Sequence, residues 1–284
     1  MDAREWMGEG MNFLVLGASS FYGSNFCALL RKRCDPFIAL SRPDWHIGEA
    51  IPRADCVVNF ASRSLVAESW ADPKGWLITN ALYTTDLLDQ VRAHGSRFIH
   101  VSTPEVYGHT PMPVREGAPF APSTPYAVSR AAADMMIAAY VRAYQFPAII
   151  TRTANIYGRG QPDYRFIPHA FKRLRGREKL QLDGGGDTLR GWLHVRDACE
   201  ATYRICKEGR LGETYHIAPR EVLTVRAVAQ MICAQLGLDH EQALEDAPER
   251  LGKDKAYFMD ASKLRALGWS ERIGIKEGMA EYGN

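Results

Sequence analysis

The sequence predicts an α/β protein: a doubly wound parallel sheet followed by a smaller C-terminal α/β lobe. Three observations predict it. Short β-rich apolar runs alternate with longer segments of helical period through the first half of the chain. Each run ends beside glycine or polar residues, where open α/β sheets place their ligands. The regular alternation then changes after Gly158.

Strands are expected at Asn12 to Leu16, Phe37 to Leu40, Cys56 to Phe60, Arg97 to Ser102 and Ala148 to Arg152. The helices between them are expected at Tyr22 to Arg33, Gly75 to His94 and Tyr126 to Tyr144. Further helices are expected at Pro168 to Arg175, Asp197 to Glu208 and Val225 to Leu236, with a glycine turn at Gly184 to Gly186 read as hairpin-like. No repeat, low-complexity tract or flexible linker separates the halves, so the lobe is expected to pack directly on the sheet.

Composition narrows the function. With 284 residues, 46% of them hydrophobic, the chain can fill a large core. Its 35 basic and 33 acidic residues leave a formal net charge of +2, too little for a whole-protein field toward nucleic acid or a membrane surface. No apolar run approaches the ~20 residues of a membrane span, and the N-terminus is mixed and charged, so a cytoplasmic protein is expected. The six cysteines form no CxxC pair and several lie among apolar residues, where a thiol acts as a small hydrophobe; no metal site or disulfide is expected.

The segment Gly17-Ala18-Ser19-Ser20-Phe21-Tyr22-Gly23 links the first strand to the first helix. There a glycine turn lets backbone N–H groups and a helix N-terminus hold a pyrophosphate, which predicts a Rossmann dinucleotide site. Gly17 permits the turn, Gly23 allows helix and strand to approach, and Ser20 replaces the middle glycine. The second strand ends in Ser41-Arg42, where a ribose-holding carboxylate is usual. An arginine suits a 2′-phosphate, so NADP is favoured over NAD, with Asp44 as the rival ribose ligand. Only about fifteen residues separate Leu40 from Cys56, too few for an added strand with its own crossover of a dozen or more residues.

Val101-Ser102-Thr103-Pro104-Glu105-Val106-Tyr107-Gly108 leaves the fourth strand, and Tyr126-Ala127-Val128-Ser129-Arg130 opens a helix. With Asn59-Phe60-Ala61, Asn80, Asn155-Ile156-Tyr157-Gly158, Arg190 to Asp197 and Asp260 to Leu264, these motifs cover nearly the whole chain. The chain resembles the extended short-chain dehydrogenase/reductase family, and within it the nucleotide-sugar epimerases and 4,6-dehydratases, those acting on dTDP-glucose in particular.

The resemblance implies that Tyr126 takes the proton of a sugar C4 hydroxyl while hydride leaves C4 for the nicotinamide. An unperturbed phenol has a pKa of about 10, so a cation must assist it. The family uses lysine four residues on, on the same helix face; here Arg130 keeps the charge with a bulkier, planar group. Thr103 is implied as the hydroxyl bonding the C4 oxygen and Glu105 as the base at C5. The dehydratases carry an aspartic acid between them to protonate a departing C6 hydroxyl, whereas Pro104 has no proton to donate.

A common 4-keto intermediate then has three outcomes: epimerisation, dehydration or, from a uronic acid, decarboxylation. The resemblance also implies cofactor contacts from Gly17, Ser19, Ser20, Phe21, Tyr22, Gly23, Ser41, Arg42, Phe60, Ala61, Asn80, Tyr126 and Arg130. Asn155 and Arg190 are implied near the substrate diphosphate, although Gly191 follows Arg190 where relatives carry an acidic residue. Residues 11–157 are expected to form the dinucleotide-binding domain and residues 158–284 mainly the substrate lobe, with room for the chain to cross between them. The two long helices imply a homodimer, and Trp192, Trp269 and Tyr257 are expected to fill the lobe's core. Rival readings are an NADP-dependent 4-keto-sugar reductase and a silent NAD(P)-binding sensor or assembly protein.

Overall fold

The computed structural model describes residues 10–41, 49–249, 252 and 254–283. Arg42 and Asp44 lie outside the described residues. The chain opens with strand β1 (Phe13–Leu16), whose four side chains are all buried. Helix α1 (Phe21–Arg33) follows, with Ser20 as its cap, accepting from the Gly23 N–H. Strands β2 (Phe37–Leu40) and β3 (Cys56–Asn59) come next.

The segment predicted as one helix from Gly75 to His94 is an interrupted one. Asp72 caps α2 (Pro73–Leu77), a π turn spans Ile78–Leu82, and α3 (Tyr83–His94) ends at Gly95 in the left-handed conformation. Strand β4 (Arg97–Ser102) leads through a 3₁₀ turn (Pro104–Tyr107) to β5 (Thr110–Val114). Thr124 caps α4 (Pro125–Tyr144), with Pro125 in the first turn, and β6 (Ala148–Thr153) returns to the sheet.

The second half contributes β7 (Asn155–Tyr157), α5 (Phe166–Arg175), β8 (Leu180–Asp183), β9 (Leu189–His194), α6 (Val195–Glu208), β10 (Thr214–Ile217) and β11 (Val222–Thr224). It continues with α7 (Val225–Gln235), α8 (His240–Ala243), β12 (Leu244–Ala247), β13 (Tyr257–Met259), α9 (Ser262–Ala266) and α10 (Ile275–Ala280).

The main sheet is parallel, in the order β2-β1-β3-β4-β6-β10. Its order reverses between β1 and β3, and among the described residues β2 is the edge, as the short Leu40-to-Cys56 connection requires. Alternate side chains serve the two faces. Phe13, Val15, Val58 and Ile99 pack with α1 and α6, while Leu14, Leu16, Val57 and Phe98 pack with α3 and α4. The sixth strand, β10, and helix α6 come from the second half of the sequence. The Tyr22 hydroxyl ties α1 to α6 through Ala198 O at 2.9 Å and Thr202 Oγ at 2.8 Å.

A separate hydrophobic cluster joins α5, α7, β8 and α10. The glycine turn at Gly184 to Gly186 corrects the hairpin expectation: β8 pairs with β12 and β9 with β7 and β11, so the turn joins two different sheets. Arg226 holds it by donating to Gly185 O at 2.7 Å. Trp269 is also displaced from expectation, packing in the core of the main sheet and donating to Asp197 O at 3.1 Å.

A buried ion pair fixes α4 on β6. Asp134 Oδ2 accepts from Arg152 Nε at 3.0 Å and lies 3.0 Å from its second terminal nitrogen. The guanidinium lies 4.8 Å from the ring centres of both Tyr107 and Phe120 and donates to the Tyr107 hydroxyl and to Glu116 O. Both partners are almost wholly removed from solvent. Asp134→Asn leaves Arg152 as an uncompensated buried cation, and urea denaturation should show a loss of about 3–5 kcal/mol of unfolding free energy. A loss below 1 kcal/mol would show that the interior rehydrates Arg152.

Candidate active site

The carboxyl ends of β1 and β3 meet in a cradle built for close backbone approach. Gly17 adopts a φ of +75°, and a Cβ there would lie 2.6 Å from Ala61 N. A Cβ at Gly23 would lie 2.3 Å from Gly17 O. Ser41 Oγ accepts from Ser19 N at 2.7 Å, closing the turn against the end of β2. The first N–H groups of α1, at Phe21 and Tyr22, have no intrahelical acceptors and face the anion end of the helix dipole. These features fit a dinucleotide pyrophosphate at Gly17 to Gly23.

The structure restricts how some expected residues serve that site. Tyr22 points its hydroxyl into α6, and Phe60 packs on Tyr22 and Phe26, with ring centroids 4.8 and 5.4 Å apart. Only their backbones remain for a cofactor. Ala61 N is taken by Asn59 Oδ1 at 3.0 Å. Asn80 is fully buried and spends its amide inside the protein: it accepts from Arg63 N at 2.9 Å and donates to Arg63 O at 3.1 Å and Ser129 Oγ at 2.9 Å. It therefore holds the loop after β3 against α4.

Thr103 ends β4 and caps the 3₁₀ turn, its hydroxyl accepting from Glu105 N at 3.4 Å. The Thr103 hydroxyl lies near enough to Tyr126 to help lower its pKa. Tyr126 is buried in the first turn of α4. Burial raises its pKa first and the Glu105 carboxylate second, while Arg130, Thr103 and Arg165 oppose them. In the free protein desolvation thus outweighs the cation that sequence reasoning invoked.

Arg130 lies one helical turn below, buried, donating to Val101 O at the end of β4; its Nε has no hydrogen-bond partner. A lysine so buried would tend to lose its proton, whereas a guanidinium stays charged.

Glu105 is half-buried, and its Oε2 is enclosed without a hydrogen-bond partner. Burial pushes its pKa up to about 7 against the pull of Arg190, Arg165 and Arg130. Pro104 is buried between Thr103 and Glu105. Arg190, on β9, donates to Leu189 O at 2.7 Å and Asp254 O at 2.9 Å, and its guanidinium carbon sits 4.2 Å from the Tyr257 ring centre. Tyr257 is buried, as expected of a core residue, and carries the Arg190 guanidinium on its ring. Gly191 is closely packed: a Cβ would meet Pro219 Cδ at 3.2 Å and Ala154 Cβ at 3.4 Å, so a side chain there requires Pro219 to shift slightly. Asn155 is exposed at the start of β7, in register with Trp192.

Sequence reasoning missed Arg165, Ser64, Asp254 and Ser123. Arg165 immediately precedes α5 and donates to Ser64 Oγ at 2.8 Å. Asp254 accepts from Ser123 Oγ at 2.6 Å and the Tyr257 hydroxyl at 3.0 Å. None of these carries a spacing signal; only their position beside recognised motifs hinted at them.

A family model described as GDP-mannose 4,6 dehydratase matches residues 48–282. The chain is 35% identical to a dTDP-glucose 4,6-dehydratase of Mycolicibacterium smegmatis over 92% of this chain and 88% of that one. It is 30% identical to the low-salt glycan biosynthesis protein Agl12 of Haloferax volcanii, covering 95% of this chain and 96% of the other. A dTDP-glucose 4,6-dehydratase from Streptomyces venezuelae, solved with NAD bound, superposes with a TM-score of 0.87 at 30% identity, covering 96% of this chain and 97% of that one. With the parallel sheet, the cradle at Gly17 and these matches in agreement, the chain belongs to the nucleotide-sugar epimerase/dehydratase family of extended short-chain dehydrogenase/reductases.

Proposed function

We propose that the protein is an NAD(P)-dependent nucleotide-sugar epimerase/dehydratase acting through a 4-keto sugar. The observation that carries this reading is the convergence of Thr103, Glu105 and Tyr126 at the end of β4, with the buried Arg130 cation one turn beneath the phenol. When bound, the dinucleotide supplies a hydride acceptor for C4 and a hydride donor for the return step.

Tyr126 takes the proton of the C4 hydroxyl, Thr103 orients that oxygen, and Arg130 favours the phenolate. Glu105 removes or delivers a proton at C5. Arg190 pairs with the substrate diphosphate, and Asn155 is a further phosphate contact. Arg42 supports NADP, while the NAD-bound relative supports NAD; titrating each against the intrinsic fluorescence of the protein separates them.

Incubation with either cofactor and a panel of UDP-, dTDP-, GDP- and CDP-sugars, read by mass and proton NMR, should give a C4 epimer of unchanged mass or a product lacking water. Tyr126→Phe should lower the rate by ~10²–10⁴. Stoichiometric consumption of reduced cofactor would make the protein a 4-keto-sugar reductase. Cofactor binding without turnover of any sugar would make it a sensor or assembly protein.

Glu105 generates a pH prediction. As a base at C5 it must be ionised, so dehydration should rise with pH through about 7, and Glu105→Gln should lose both that limb and the C5 exchange of solvent deuterium. Exchange that persists at full rate in Glu105→Gln would remove it from the C5 step.

We also propose a homodimer through α3 and α4. Leu82 is 59% exposed, Met135 61% and Val128 43%, and these apolar side chains lie on the π turn and on α4, which pack together. A second copy presenting the same face would cover them isologously. Light scattering should show a dimer that Leu82→Arg with Met135→Glu converts to a monomer; a wild-type monomer at micromolar concentration would refute this.

A further inference from the structure

The 3₁₀ turn Pro104–Tyr107 presents side chains to two different surroundings. At about three residues per turn, positions 105 and 107 point to different sides of it. Glu105 is surrounded by the charges of Arg190, Arg165, Arg130 and Asp254 and by the phenols of Tyr126 and Tyr257. Tyr107 is buried in the protein interior, in a small cluster with Val106 and with Ala131 of α4.

The Tyr107 hydroxyl is committed on both sides. It accepts from Arg152 Nη1, and it lies 2.8 Å from His216 Nε2 and 3.1 Å from Glu116 O. A phenol has one proton to give. His216 Nδ1 lies 3.0 Å from Asp260 O, which can only accept, so that nitrogen carries the ring proton. Burial keeps the ring neutral, pulling its pKa down to about 3. Nε2 is then an acceptor and takes the phenol proton, while Glu116 O is served by Arg152 at 3.0 Å. From the turn after β4, one hydroxyl thus joins Arg152 on β6 to His216 on β10. The chain beyond it is confined as well: Gly108 has a φ of +67°, and a Cβ there would lie 2.2 Å from Ala121 O.

Arg152 links this turn to α4. Its Nε and Nη2 engage Asp134 on the helix of Tyr126, and its Nη1 engages Tyr107 on the turn of Glu105. One planar guanidinium therefore spans the supports of both proton-transfer groups. We propose that Tyr107 is a positioning residue for Glu105: its hydroxyl, held between Arg152 and His216, fixes the turn that sets the Glu105 carboxyl. Asp134 holds the helix of Tyr126 through the same guanidinium. The part Glu105 plays at C5 rests on the 4-keto reading; its placement by Tyr107 does not.

Tyr107→Phe tests this, because it removes the hydroxyl and keeps the ring that lies 4.8 Å from the Arg152 guanidinium. Carbon-13 NMR of the full chain labelled at the glutamate carboxyls follows Glu105 without any ligand, its signal assigned by its loss in Glu105→Gln. Glu105 should titrate at about 7 in the wild type and lower in Tyr107→Phe, since burial is the first cause of its raised pKa and a released turn admits water. With NAD and the panel of sugar nucleotides, Tyr107→Phe should lose ~10²-fold in exchange of solvent deuterium at C5, while single-turnover formation of reduced nicotinamide, the C4 step, keeps its rate. Should Tyr107→Phe fail to fold, Arg152→Lys gives the same titration reading, because a point charge does not bridge two partners as the planar fork does. A Glu105 titration that does not fall in the folded variant, or equal losses at C4 and C5, overturns the proposal. A lowered titration beside a wild type that neither reduces NAD nor exchanges C5 leaves Tyr107 in its role and defeats the 4-keto reading instead.

Discussion

The buried pair of Asp134 and Arg152 is the constraint on which the site depends. It joins the one long helix that carries Tyr126 and Arg130 to the strand next to β4, which ends at Thr103. An ion pair excluded from water is costly unless its geometry is satisfied, and here the guanidinium is matched by a carboxylate, a phenol, a carbonyl and two ring faces. Such a pair has few alternative positions. The register of α4 against the sheet, and with it the approach of the phenol to Thr103, is therefore fixed before any ligand arrives.

The second constraint is steric. The β1 turn, the loop after β3 and the start of α1 come within backbone contact, and only glycine at 17 and 23 permits it. This opens the carboxyl edge of the sheet at the point where its strand order reverses, while the Asn80 amide stops the loop after β3 from collapsing into the gap. Cofactor cradle and proton-transfer groups are thus set by different devices, one of shape and one of charge, that meet at Ser129 and Tyr126.

The five strands of the first half were legible because each is a short apolar run bounded by turns; β1, β3, β4 and β6 are largely buried, while the edge strand β2 leaves Ile38 and Ala39 exposed. The cradle was legible for the same local reason. What escaped was non-local. β10 joins the sheet from sixty residues beyond β6, several times the length of a single crossover, and nothing in Thr214–Ile217 names its neighbour. The glycines at 184 to 186 signalled a turn but not which strands it joins. Tyr257 is buried as its sequence context suggested, but only the fold brings Arg190 over its ring. The Arg165–Ser64 contact carried no signal because its partners lie about a hundred residues apart.

Charge explains how the departures at 104 and 130 belong together. Glu105 and Tyr126 each resist ionisation through burial, and the Glu105 charge further raises the phenol. If Tyr126 takes a sugar proton as proposed, that transfer needs a nearby cation. On the proposed reading Arg130 supplies that charge, and a guanidinium keeps its proton under burial more firmly than an ammonium does. An additional carboxylic acid at position 104 would set another buried carboxyl beside Glu105, and mutual repulsion would push both toward the neutral form. Proline there removes the competitor and stiffens the turn.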